Sequence, residues 1–170
     1  SRPRTWGACW LGDQLWRELH LDTFFAPLLG VSREGTDWEK VLRLLTLYRL
    51  LSPGSEWRLP RHWFGTTALA DLLAVDERHA QDDPLYRGLD GLLEHKDALF
   101  THLRQHWSDL FGAKFDVLLY DLTSPYFECD VPEDETDPRR FGYSRDKRSD
   151  CVQVIVALVG TPEGVPQAHE

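Results

Sequence analysis

The chain has 170 residues, 42% of them apolar, seven Trp and a net charge of −9. That is enough for one domain or two small ones around a buried core, and the aromatic content excludes a disordered acidic tail. No apolar run approaches the length of a membrane span, no signal peptide opens the chain, and the acidic balance argues against a general nucleic-acid binder unless local charge reverses it.

Residues 1–35 give a weak signal. "DQLWRELHLDTFFAPLLG" shows helical spacing at Leu15, Trp16 and Leu19, and Gly30 marks a break. "TDWEKVLRLLTLYRLL" is clearer: Thr36 followed three residues later by Glu39 reads as a capping box. The apolar positions Trp38, Val41, Leu42, Leu45 and Leu51, with others between them, predict a helix buried on more than one side. "SPGSE" at 52–56 ends it. A second helix is predicted over 66–75. Beyond Pro84, which suits a first helical turn, Leu85, Leu89, Leu92, Phe100, Leu103, Trp107 and Leu110 predict one or two long helices. Residues 1–112 therefore read as a helical region.

The character changes at Phe115. "FDVLLYDL" is a candidate strand. Residues 128–137 hold six acids and 139–148 hold five cations. "CVQVIVALVG" (151–160) is too short and apolar for anything but a buried strand or helix core. With the turn signal "TPEG" and the run "VPQAHE" it predicts a hairpin. The three cysteines, Cys9, Cys129 and Cys151, lack a CxxC pair, which fits a reducing compartment and opposes a disulfide framework. There is no Met, and the last run reads as an unfinished strand, so a piece of a longer protein is expected.

Candidate chemistry is sparse. His95, His102 and His106 share a helix face, but the Glu of a metalloprotease motif is absent, and a polar helix flank is the simpler reading. Ser124 has no glycine elbow, and "LFGAKF" (110–115) has the wrong spacing for a phosphate loop. Asp121, following Val117-Leu118-Leu119-Tyr120, has two readings. It is a turn-former closing the strand through "DLTSP", or a metal-ligating carboxylate held rigidly on a strand. The basic segment Arg139, Arg140, Arg145, Lys147 and Arg148 also has two. It meets a phosphate backbone, with Phe141 and Tyr143 as stacking faces, or it is a solvated loop neutralising the acids before it.

"LLYDLTSPYFE" followed by "GYSRDKRSDCVQVIVALVGTPEGVPQAHE", with "DDPLYRGLDGLLEHKDAL" upstream, resembles bacterial DDE-type insertion-sequence transposases from about residue 36 to the end. The resemblance implies an α/β chain of the α+β kind: a helical N-terminal region, 1–112, then the opening strands of an RNase H-like catalytic domain, 113–170, incomplete. It places the first of three catalytic acids, a metal ligand, at Asp121, with Thr123 in a supporting role. It implies Mg²⁺ (or Mn²⁺) in a two-metal mechanism of cleavage at transposon ends and strand transfer. The DNA contacts expected are Arg139, Arg140, Tyr143, Arg145, Lys147 and Arg148. The second Asp and the Glu would lie beyond Glu170, so the chain is not expected to cut DNA alone. Two rivals are a nuclease of the same fold and a non-catalytic truncated protein that binds DNA or full-length transposase as an inhibitor. Partners expected are transposon-end and target DNA, with a homo-oligomer when full length, no membrane, and a cytoplasmic, nucleoid-associated location.

Overall fold

The computed structural model describes residues 3–111, 119–143, 146–161 and 166–169; the side chains of 107–111, 119–121 and 166–169 lie outside the description. Helix and strand are both present, in an α+β arrangement. The chain divides into two compact units, Ser1–His102 and Leu103–Glu170.

The first unit is helical. α1 spans Gly7–Glu18, α2 Leu21–Leu29 and α3 Trp38–Leu51. A wide turn at Leu59–Trp63 and a tight one at Phe64–Thr66 lead into the short α4, Leu69–Leu73. α5 spans Asp82–Glu94, and α6, Lys96–Phe111, runs on past the unit's end. α3 is the central element: Val41, Leu44, Leu45, Leu47 and Tyr48 are all buried, along with Leu59, Leu69 and Leu85. The expectation of a helix buried on more than one side is met. Gly12 lets α1 lie close on α3, because a Cβ there would collide with the Leu47 side chain.

The helix starts differ from the capping-box expectation. The residue capping α3 is Asp37, not Thr36; its Oδ1 accepts from the Lys40 amide at 3.4 Å. Glu39 turns inward instead of reaching back over the helix start. Its Oε1 accepts from the Trp16 indole at 2.8 Å and lies 3.7 Å from Arg43 Nη1. Arg43 also pairs with Asp13, as charges in contact more than as an aligned hydrogen bond, and Asp13 holds Arg17 at 3.1 Å. Asp13, Glu39 and Arg43 are all buried. Burial raises the Glu39 pKa, while Arg43 and the Trp16 N–H pull it back. The helix predicted over 66–75 is cut to five residues, and the long stretch after Pro84 is two helices broken at His95.

Among its described residues the second unit carries five short strands: β1 Leu119–Thr123, β2 Tyr126–Phe127, β3 Val152–Gln153, β4 Val156–Gly160 and β5 Pro166–His169. β1, β4 and β5 form an antiparallel sheet in that order, and β2 pairs with β3 separately. The hairpin expected across residues 151–170 is present as β4 and β5. The single strand expected over "CVQVIVALVG" is two. The run changes partner at Val154-Ile155: Val152 and Gln153 pair with β2, and 156–160 pair with β1. Nor is the run uniformly buried; Cys151, Val152 and Gln153 are, while Ile155 and Leu158 are exposed. Among the described residues no helix is long and apolar enough to cross a membrane.

Candidate functional site

Asp121 is the third residue of β1. Its backbone stands opposite Leu158, and Leu158 stands opposite His169 on β5. The strand continues to Thr123, opposite Val156, before Ser124 and Pro125 leave the ladder. The backbone at Asp121 is thus inside a paired strand, two residues short of the expected turn. The strand positions of Phe115 and Val117 fall outside the described residues.

Among the described residues, no second acid pairs with the strand at Asp121. Its neighbours Tyr120 and Leu122 and its cross-strand partner Leu158 carry no carboxylate. Among the described residues there is no group of three or more His, Cys, Asp or Glu that could hold a metal. His102, one of the three helical histidines, is engaged in packing. Its Nε2 lies 2.8 Å from the Leu19 carbonyl, and its ring lies 4.6 Å from that of Phe24.

The basic segment is only partly available to an anion. Arg139 holds Asp137 at 2.6 Å and lies over the Phe127 ring. Its guanidinium and the Arg139 amide hold the Asp137 carboxyl down to about 2. Arg148 holds Glu128 at 2.7 Å and Asp150 at 3.0 Å, over the Tyr126 ring. These two arginines fasten the acidic loop onto the β2–β3 ribbon. Arg140 is different. Its Nη1 and Nη2 donate to the carbonyls of Arg139 and Glu135, at 2.8 and 2.6 Å, and no ion pair holds it among the described residues, although its charge helps to lower the Asp134 and Asp137 pKa values. Lys147 is exposed, in a left-handed backbone conformation (φ 60°). Arg145 lies outside the described residues.

At the end of β1 the loop 138–143 folds over β3 and makes a pocket of about 520 Å³. Leu122, Thr123, Arg140, Phe141, Tyr143 and Gln153 are among its lining residues. Arg140 and Gln153 exchange both backbone hydrogen bonds, N to O at 3.1 and 2.8 Å, and so pin the loop to β3. Gly142 makes this closeness feasible, since a Cβ there would come within 3.0 Å of Gln153 Nε2. Gln153 is 5% exposed, and its Oε1 is buried with no hydrogen-bond partner among the described residues. The aromatic rings face out: Phe141 is 58% and Tyr143 89% exposed. Sequence reasoning singled out Arg140, Phe141 and Tyr143 but missed Gln153, which sits within an apolar run and takes its importance from the strand's change of partner.

No family model, curated protein or solved structure matches the chain.

Proposed function

We propose that this chain is the N-terminal part of a DDE-type transposase, contributing the first acid of a site that cleaves transposon ends and transfers the strands. The observation that carries this reading is the position of Asp121 inside β1, the edge strand of an antiparallel β1-β4-β5 sheet. Paired strands around "YDLTS" support reading this segment as the opening strands of the RNase H-like domain that the resemblance implies. A carboxylate fixed on a paired strand suits metal ligation, because the ladder holds its Cα in place. Mg²⁺ or Mn²⁺, when bound, would supply an activated oxygen nucleophile and stabilise the leaving oxygen. The remaining acids are expected from residues outside positions 1–170. Within this chain, Arg140 and Lys147 are the cations best placed to meet DNA phosphate, since Arg139 and Arg148 are held by carboxylates.

The test is Asp121→Asn in the full-length parent. The substitution keeps the shape of the side chain and removes its charge. Cleavage at transposon ends should be abolished in Mg²⁺ and in Mn²⁺, with end binding in a gel-shift assay largely unchanged. Cleavage at a near-normal rate would make Asp121 a structural strand residue and remove the basis of the reading.

A further inference from the structure

We propose that the pocket at the end of β1 receives one unpaired nucleobase of a DNA strand. The inference rests on the DNA-processing reading and specifies what the site takes. Three features of the pocket point the same way. Phe141 and Tyr143 present largely exposed rings at its wall, and every base has a face that stacks on an aromatic ring. Arg140 brings a guanidinium hydrogen-bonded to carbonyls and held in no ion pair among the described residues, suited to the phosphate attached to such a base. Gln153 sets a buried carboxamide oxygen, unpartnered among the described residues, in the same lining. A buried acceptor left without a donor is costly, and a ligand that donates to it recovers that cost. The exocyclic amines of adenine (N6) and cytosine (N4) are such donors, and so is the ring N3–H of an unpaired thymine.

The rings, the guanidinium and the amide line one pocket of about 520 Å³. Bases are read on aromatic side chains when they are splayed out of a stack, as single strands and frayed ends allow. Thr123 puts the pocket two residues from Asp121, about 7 Å along the strand.

The 170-residue chain is tested by fluorescence anisotropy at low salt against labelled 12-nucleotide strands. One strand carries bases throughout, one is wholly abasic, and three are abasic except for a single central A, C or T. The base-bearing strand should bind more tightly than the abasic one by roughly five- to a hundred-fold, the range of one stacked base. Tyr143→Ala, at a highly exposed position that leaves the fold intact, should remove most of that difference while the salt dependence stays. A single A, C or T should each restore part of that difference, and Gln153→Leu should weaken all three. Equal affinity for the abasic and base-bearing strands, or a difference that both variants leave intact, overturns the pocket assignment while salt-dependent binding keeps the DNA reading. No binding to any strand at low salt overturns both.

Discussion

Replacing Arg43 by Ala should be among the most damaging single changes in the helical unit. Arg43 is 5% exposed and lies between two buried acids, Asp13 at 3% and Glu39 at 7%. Without it, Asp13 keeps Arg17, whose side chain is half exposed, and Glu39 keeps only the Trp16 N–H among its described partners. Removing one partner of a buried ion pair typically costs about 3–5 kcal/mol, because the other charge stays buried without compensation. A domain of ordinary stability has roughly 5–15 kcal/mol in all. At about 4–8 °C per kcal/mol for a unit of this size, the melting temperature should fall by at least ~12 °C. Thermal melts followed by helical circular dichroism would measure it, and urea melts the free-energy cost. The pH dependence supplies a second readout. The folded Glu39 pKa is raised by burial, so stability is lost as pH rises from the ordinary value of 4.5 through the raised one. Removing Arg43 raises it further and extends that window upward, so the variant's deficit should shrink as pH is lowered from 7 towards 5. A cost under about 1 kcal/mol, or a deficit that ignores pH over that range, would refute the assignment of a strongly coupled buried cluster.

The Asp137 carboxyl should titrate near 2 in a carbon-detected NMR experiment, and Arg139→Gln should return it towards the ordinary 3.8. Because the folded value is depressed, the stability from this pair is present above pH 3.8 and lost as pH falls through about 2. The exposed apolar residues Leu122, Ile155 and Leu158, with β1 and β5 at the edges of a three-stranded sheet, should make the chain self-associate. Light scattering at high protein concentration should therefore report more than a monomer, and a clean monomer would count against it. Finally, DNA binding should fall with salt with a log–log slope near 2 to 3, about 0.9 for each phosphate met by Arg140, Lys147 and Arg145. Converting Arg140, Arg145 and Lys147 to Ala should flatten that slope, whereas Arg139→Ala should barely move it.

The helical half was legible where the pattern was dense. "WEKVLRLLTLYRLL" has apolar residues on nearly every face, and such a helix has to be buried whatever packs on it. Its start was misread because Thr36 and Asp37 are both good capping residues, and the choice between them follows from the inward turn of Glu39 onto Trp16, 23 residues away in sequence. In the second unit, β1, β4 and β5 were recognisable as apolar runs separated by turn residues. The split of "CVQVIVALVG" was not, because periodicity says nothing about which strand a residue pairs with. The pocket followed from that split. Gln153 reads as a lone polar residue in a strand, and only its pairing with Arg140 brings it beneath Phe141 and Tyr143.

The acidic run and the basic segment were open to two readings, and the contacts divide them residue by residue. Arg139 and Arg148 each lie across an aromatic ring with a carboxylate at 2.6 to 2.7 Å, so a phosphate must displace an existing partner to engage them. Such an exchange swaps one charge-assisted hydrogen bond for another and gains little. Arg140 gives up nothing of the kind, because its partners are carbonyls that a bound phosphate leaves in place. The acids at 128 and 137 therefore act as fasteners of the loop, and by neutralising their two arginines they leave Arg140 and Lys147 as the described cations of the segment open to an anion. A net charge of −9 repels a long duplex at a distance. The Arg140 guanidinium, which no carboxylate holds in an ion pair among the described residues, acts beside two exposed rings and a buried amide only at contact. An overall acidic chain can carry a local DNA site on those terms.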